Sequence, residues 1–363
     1  MSEEQLEELR QEIDRINLQI LDLLNRRARV VEQIGKVKSE KGLEAFSPVR
    51  ESRMLARILE HNQGPFDDET IKRLFKEIFQ ASRNLIEVQA RRSLLVSRQH
   101  RTEDTVIEVR GVAVGGAAPI LIAGPCSVES EEQMERIASC LAGLGVRFLR
   151  GGAFKPRTSP YSFHGLGLEG LEILQRVARR HDMAVVTEVL DPRHLESVAG
   201  CADILQIGTR NTYNYELLKE VGRSRIPVLL KRGFMATLEE FLNSAEYIVS
   251  QGNDRVILCE RGVRTFERWT RNTLDISAVP LLKQESHLPV IVDVSHACGR
   301  RDILLPVARA SLAAGAHGLM VEVHDNPAVA LSDNEQQMDL PTFTRFLEGL
   351  GLPAAPRGEP ALD

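Results

Sequence analysis

Residues able to do chemistry gather behind short β-rich apolar runs in the second part of this 363-residue chain. Arg150, Lys155, Arg157, Arg210, Lys231 and Arg261 each follow such a run within a few residues. Cations sharing one mouth repel one another unless anions bind there. Phosphate is the natural anion, because guanidinium forks match its oxygens and an ammonium adds point charge. Any one of these residues alone would pass for a solvated surface charge. Together they point to a substrate, or two substrates, carrying phosphate. Cys126, His296, Glu322 and Asp333 add a thiolate, an imidazole and two carboxylates behind the first, seventh and eighth runs. Mixed S, N and O donors suit a borderline divalent ion such as Mn²⁺, Fe²⁺, Co²⁺ or Zn²⁺ better than Mg²⁺ or Ca²⁺. Their spacing has none of the specificity of a zinc-finger pattern, and a lone cysteine in a tight turn is usually a small buried residue. The metal reading therefore depends on a fold that brings the run ends together.

The runs themselves supply that fold. They cover 120–123, 146–149, 184–187, 204–207, 228–230, 256–259, 290–294 and 318–323, and helix-compatible stretches such as 131–144, 168–181 and 238–250 separate them. Runs of this kind suit parallel strands buried on both faces, and the alternation suits βα units. Eight such units predict an α/β fold, a (β/α)8 TIM barrel, with a doubly wound sheet as the weaker alternative. In a barrel all the C-terminal strand ends share one active-site face.

Ahead of the barrel the texture is helical. Leu6, Leu9, Ile13, Ile16, Ile20, Leu23, Val30, Ile34 and Val37 fall mainly three, four or seven apart, which predicts one amphipathic helix over 4–40. A second helix follows over 50–62. Gly64-Pro65 ends it, and Asp67 or Asp68 caps a third that runs to about 96. The reading is an N-terminal all-α three-helix domain, 1–96. Its first helix would be about 55 Å long, more than two short partners can cover. A coiled-coil dimerisation module or an intertwined helical dimer with a site between chains would each cover it. Residues 97–105 carry no apolar pattern and read as a linker. Residues 105–114 alternate enough for a short strand pair around Gly111 that plugs or flanks the barrel. The barrel would then span 106–350, with 351–363, rich in Pro, Ala and Gly, as a disordered tail.

Composition narrows the setting. A net charge of −5 argues against a general nucleic-acid binder. No apolar run approaches the roughly 20 residues of a membrane helix, and Met1-Ser2-Glu3 begins no signal peptide. Cys126, Cys140, Cys201, Cys259 and Cys298 are an odd, scattered set with no paired spacing, as expected of reduced thiols in a cytoplasm.

Longer motifs sharpen the reading. Gly124-Pro125-Cys126-Ser127, Lys155-Pro156-Arg157-Thr158-Ser159, Lys231-Arg232-Gly233, Asp293-Val294-Ser295-His296 and Ala330-Leu331-Ser332-Asp333 resemble the β subgroup of type I 3-deoxy-D-arabino-heptulosonate 7-phosphate (DAHP) synthases. The likeness runs from about 105 to 345, and the helical part resembles the chorismate mutase domain that some members carry. The resemblance implies condensation of phosphoenolpyruvate with erythrose 4-phosphate, the first step of the shikimate pathway. It implies a divalent metal, Mn²⁺ first, on Cys126, His296, Glu322 and Asp333. Arg150, Lys155, Arg210, Lys231 and Arg261 would grip phosphoenolpyruvate, with Glu188 as a nearby catalytic residue, and Arg157 and Thr158 would hold the aldose phosphate. Lys155 would protonate the new alkoxide, with water on the metal as the alternative acid. The sibling enzyme, which uses arabinose 5-phosphate, has a loop resembling Lys-Ala-Asn-Arg-Ser, so the loop here favours the four-carbon aldose.

In the helical part, Arg10, Arg27, Lys38 and Arg50 match the cationic positions of the mutase family, with Glu51 beside them. Arg27 and Lys38 are three turns apart on one face, and Arg10 lies about 100° away, as befits a residue donated to a partner chain. Two positions depart from the pattern. Ser47-Pro48 stands where the family has Asp-Pro, and Ile86 stands where it has Gln or Glu. The resemblance thus implies a domain that binds chorismate or prephenate as a feedback effector and is weak or inactive as a mutase. A fully bifunctional enzyme is the alternative. A homo-oligomer is expected, a dimer through the helical domain or a tetramer, with no nucleic-acid or membrane partner.

Overall fold

The computed structural model describes residues 3–40, 47–92, 94–155 and 161–351. Two compact units divide the chain, Met1–Ser93 and Leu94–Asp363. The predicted tail beyond Gly351 lies outside the described residues, as do Arg157 and Thr158.

The first unit holds α1 (Glu3–Glu40), α2 (Pro48–Glu60) and α3 (Asp68–Arg92). Asp67 starts α3 by accepting the Thr70 amide at 2.7 Å, as a cap should. Leu6, Leu9, Ile13, Ile16, Ile20, Leu23, Val30 and Val37 on α1 are all exposed. Among the described residues no helix is long and apolar enough to cross a membrane.

The second unit opens with a hairpin, β1 (Ile107–Val109) and β2 (Val112–Val114), at the predicted strand pair. Eight parallel strands then close a barrel: β3 (Ile120–Gly124), β4 (Phe148–Arg150), β5 (Ala184–Glu188), β6 (Ile204–Ile207), β7 (Val228–Lys231), β8 (Val256–Glu260), β9 (Val290–Asp293) and β10 (Gly318–Glu322). Each strand pairs with its sequence neighbour and β10 closes on β3, so the barrel rather than the doubly wound sheet is the fold. Between and after the strands lie α4 (Glu131–Gly143), α5 (Leu168–Arg180), α6 (Leu195–Ala199), α7 (Tyr215–Arg223), α8 (Leu238–Val249) and α9 (Ala278–Glu285). The short α10 (Val294–Cys298), α11 (Leu304–Ala313) and α12 (Leu340–Leu350) complete the unit.

Two cores hold this unit. One lies between strands and helices, and the other fills the barrel itself with Ile122, Phe148, Val186, Ile204, Leu229, Cys259, Ile291 and Met320. Ile107, Val109 and Val114 of the hairpin join the inner cluster, so the hairpin plugs the end where the strands begin.

Residues 97–105 are not a free linker. The Leu95 and Val96 amides donate to Glu246 at 3.1 Å. The Arg98 amide donates to the Glu285 carbonyl at 3.0 Å and the Thr105 amide to that of His287 at 2.8 Å. Backbone and side-chain hydrogen bonds fasten this segment to the barrel, although its sequence has no apolar period to announce it.

Candidate active site

Strand parity builds the site. Side chains two apart on a strand share a face. Six interior apolar residues are therefore followed, one pleat later, by a polar one aimed into the top of the barrel. Phe148 leads to Arg150, Val186 to Glu188, Leu229 to Lys231, Cys259 to Arg261, Ile291 to Asp293 and Met320 to Glu322. Arg150, Lys155, Glu188, Arg210, Lys231 and Arg261 line one cavity there, with Gln206, Phe234, Arg271, His296 and Asp333. Gly208 lies against Glu188, and a Cβ at that position would fall 1.9 Å from Glu188 Oε1 and turn that carboxylate aside. The missing side chain leaves Glu188 its place in the wall.

Most of these charges are paired inside the barrel. Arg150 Nη1 lies 2.9 Å from Glu322 Oε1, and Lys231 donates to Asp293 at 2.5 Å. His296 turns Nδ1 to within 2.7 Å of Asp293 Oδ2 and Nε2 to within 3.4 Å of Glu322 Oε1. Lys155 Nζ donates to the Cys126 carbonyl at 2.8 Å and lies 3.0 Å from its sulfur. Arg261 is different. It is almost wholly buried, and its Nε has no hydrogen-bond partner among the described residues, a cost that a bound anion would relieve. Phe234 gathers three guanidinium groups over its ring, those of Arg210, Arg261 and Arg264 at 5.8, 4.9 and 4.4 Å. Arg232, beside Lys231, is taken up by Glu260 at 2.8 Å and Asp275 at 2.9 Å and does not line the cavity.

Three of the four predicted metal ligands converge. Cys126, Glu322 and Asp333 each offer a donor atom within 4.8 Å of the others, and His296 adjoins them through Glu322. Burial, reinforced by the Glu322 charge, pushes the Cys126 thiol up to about 12. Burial alone would raise the Asp333 carboxyl, but Arg271 and His296 hold it well below the usual range. Glu322 is likewise held low by His296 and Arg150 against its burial. Burial lowers His296, and its two carboxylate neighbours, Asp293 and Glu322, work against that. A thiol, an imidazole and two carboxylates gathered in one buried place fit a divalent ion. The Asp293 carboxylate behind His296 orients the ring as such partners do in metal sites.

Sequence reasoning missed Asp293, Arg271 and Phe234 as contributors. Asp293 had a usable signal, since it stands at interior parity on β9. Arg271, 3.1 Å from Asp333 Oδ1, sits in a long loop with no period to expose it.

In the helical unit, Arg27 on α1 donates to Ser82 on α3 and lies 5.3 Å from the Phe79 ring centroid. Lys38 is half-buried on the same α1 face. Glu51 pairs with Arg83, while Arg50 is exposed and Arg10, also exposed, pairs with Glu7 at 3.4 Å. Ser47 is the N-cap of α2 but makes no side-chain capping hydrogen bond. Ile86 is half-buried one turn beyond Ser82 and faces α1, since a Cβ on Gly35 would be 3.6 Å from its Cγ1.

The sequence pattern of the DAHP synthetase I family matches residues 96–351. The chain belongs to that family. A second pattern, chorismate mutase type II, matches residues 9–87. A phospho-2-dehydro-3-deoxyheptonate aldolase of Thermotoga maritima is 56% identical over 254 residues, covering 70% of this chain and 75% of that protein. A crystal structure of the Thermotoga maritima enzyme superposes with a TM-score of 0.70 at 55% identity over 71% of this chain and 76% of that one. A 2-dehydro-3-deoxyphosphooctonate aldolase of Syntrophotalea carbinolica is 32% identical over 261 residues, 67% of this chain and 93% of that protein. The barrel is thus a DAHP synthase, joined to a chorismate mutase-type domain.

Proposed function

We propose that the barrel condenses phosphoenolpyruvate with erythrose 4-phosphate, and that the helical domain binds chorismate or prephenate to regulate it. The observation that carries the first part is the anion-ready mouth directly beside the Cys126, Glu322 and Asp333 donor set. The reaction joins the enol methylene carbon to the aldehyde carbon, adds water at the carbon bearing the phosphate and releases phosphate. Arg150, Arg210, Lys231 and Arg261 hold the carboxylate and phosphate of phosphoenolpyruvate, because their fixed donors match both groups and ease the departure of phosphate. Arg157 and Thr158 hold the aldose phosphate. Lys155 gives its proton to the alkoxide that forms from the aldehyde oxygen, and Glu188, on the neighbouring strand, orients the enol half. Cys126, His296, Glu322 and Asp333 would hold a divalent ion, Mn²⁺ first, which when bound supplies Lewis-acid polarisation of the aldehyde. The test is phosphoenolpyruvate loss with erythrose 4-phosphate and, separately, arabinose 5-phosphate. Consumption with the four-carbon sugar only is expected. Preference for the five-carbon sugar would favour the sibling reaction.

Ile86 supports the regulatory reading of the helical domain. An isoleucine on the face shared with Arg27 and Ser82 offers no donor to a breaking ether bond. The exposed apolar stripe of α1 supports a second copy of this domain as its partner. Light scattering of the full chain is expected to give a dimer or a tetramer, and a monomer at micromolar concentration would remove that support.

A further inference from the structure

Two consecutive glutamines follow the Asp333 loop, uncharged and without a part in the reading above. They are nonetheless among the most buried polar side chains of the barrel, Gln336 with 2% and Gln337 with 0% of its surface exposed. Gln337 Oε1 accepts the Cys126 amide at 2.9 Å, and its Nε2 donates to the Ser332 carbonyl at 2.7 Å. One amide thereby bridges the β3 exit to the β10 exit. Next to that bridge, Ser332 Oγ lies 2.9 Å and Asp333 Oδ2 3.2 Å from Cys126 Sγ. Gln336 Nε2 donates to Glu322 Oε2 at 2.5 Å, and its Oε1 accepts from Arg271 Nη1 at 2.7 Å. Arg271 in turn meets Asp333.

Neither amide can be turned around. A backbone N–H and a guanidinium only donate, and a carbonyl and a carboxylate only accept, so all four partners dictate which end faces them. Glutamate would lose the donor, and a lysine would lose the acceptor and bring a charge. The burden on this clamp is considerable. Two carboxylates are held together against their mutual repulsion, and Asp333 keeps a left-handed backbone, φ 49°, that only asparagine, aspartate and glycine adopt readily. By occupying Glu322 Oε2, Gln336 also leaves Oε1 as the oxygen turned toward His296.

We infer that Gln336 and Gln337 are positioning residues that hold Cys126, Glu322 and Asp333 convergent before a divalent ion arrives. The inference rests on the reading of that set as a metal centre. Partners of this kind behind metal ligands are worth about 10- to 100-fold in affinity.

The test is Co²⁺ titration of the full chain, followed through the near-ultraviolet thiolate-to-cobalt absorption band. Thermal unfolding of each metal-free protein checks its fold. Gln337→Leu and Gln336→Leu, which remove both hydrogen bonds at similar volume, are each expected to weaken Co²⁺ binding about 10-fold or more. Gln337→Leu should also shift or weaken the band at saturation, because it releases the Cys126 backbone; a merely stabilising role would leave the band unmoved. Folded variants that bind Co²⁺ within about twofold of wild type, with an unchanged band, would overturn the inference. Should Gln337→Leu not fold, Gln336→Leu decides alone. A wild-type chain that shows no cobalt band would overturn the metal reading itself, and this inference with it.

Discussion

Arg150 and Glu322 form a buried ion pair, 2.9 Å from Nη1 to Oε1, that joins the anion mouth to the ligand set. Burial works against the Arg150 charge, but Glu322 together with other neighbours such as Asp293 and Glu188 outweighs it and raises its affinity for the proton. The same oxygen of Glu322 faces His296. Arg150 therefore serves a bound anion and at the same time competes with a cation for Oε1.

That double engagement predicts opposite effects from one substitution. Arg150→Ala is expected to raise the KM for phosphoenolpyruvate about 10- to 100-fold, the worth of a charged hydrogen bond. It should leave divalent-ion affinity unchanged or tighter, because Glu322 Oε1 loses its competitor. Steady-state kinetics at saturating Mn²⁺ and a direct Co²⁺ titration separate the two. Parallel loss of metal and substrate affinity would show that Arg150 builds the ligand set and does not contest it.

Cys126 makes the ion's identity testable. Its thiol, pushed up to about 12 by burial and by Glu322, keeps its proton at neutral pH until a cation displaces it. A thiolate favours softer ions, so Cys126→Ser should cost Zn²⁺ and Co²⁺ more affinity than Mn²⁺, by about tenfold in the ratio. Excess chelator should abolish phosphoenolpyruvate consumption, and Mn²⁺ should restore it. Full turnover in chelator would remove the metal from the reaction.

The barrel was legible because eight apolar runs of strand length sit at βα spacing, and its site was legible where a charge stands one pleat beyond such a run. Arg150, Lys231 and Glu322 obey that rule. Gln336 and Gln337 do not announce themselves, since an amide has no charge and their value lies in partners more than 200 and 10 residues away along the chain, Cys126 and Glu322. Phe234 looks like any core aromatic until three arginines are seen around its ring. The segment 97–105 misled for the converse reason. Its anchors are backbone amides and Arg98, and hydropathy registers neither. Arg98 donates to the Lys283 carbonyl at 3.0 Å and pairs with Asp104.

His287 makes that anchored segment sensitive to acid. Its Nε2 lies 2.8 Å from the Leu95 carbonyl, so it carries the proton, and Nδ1 accepts from Thr105 Oγ1 at 2.7 Å. Burial lowers the pKa of His287, as it does that of His317, whose Nδ1 accepts the Val290 amide at 3.0 Å. A depressed folded value means that the unfolded chain binds the proton first. The stability these two rings contribute is full above about pH 6.5 and is lost as pH falls from there toward their folded values. Barrel unfolding in denaturant is expected to shift to lower concentrations between pH 7.5 and 5.5, and less so in His287→Gln. An identical pH dependence in that variant would mean other groups drive the loss.

Ile86 carries the sharpest prediction for the helical unit. Ser82 and Ile86 are one turn apart on α3, Arg27 reaches Ser82 from α1, and Ile86 lies against Gly35 of the same helix. The side chains thus share the face on which the proposed ligand would lie. Charge that develops on a breaking ether oxygen needs a donor, and removing one such donor can cost 10²-fold or more in rate. A branched hydrocarbon supplies none. Glu51 could serve a ligand hydroxyl, but here it is paired with Arg83. Wild type is therefore expected to bind chorismate or prephenate in calorimetry while turning chorismate over weakly. Ile86→Gln should raise that turnover by about tenfold or more, since it restores a donor within reach of the Arg27 side. Ultraviolet loss of chorismate measures both proteins in one assay, with phosphoenolpyruvate consumption as a control that should not move in the absence of effector. Robust mutase turnover by the wild-type chain would show that another group performs the task assigned to position 86. Failure of both ligands to bind would remove the regulatory reading and leave α1 to α3 as an assembly module alone.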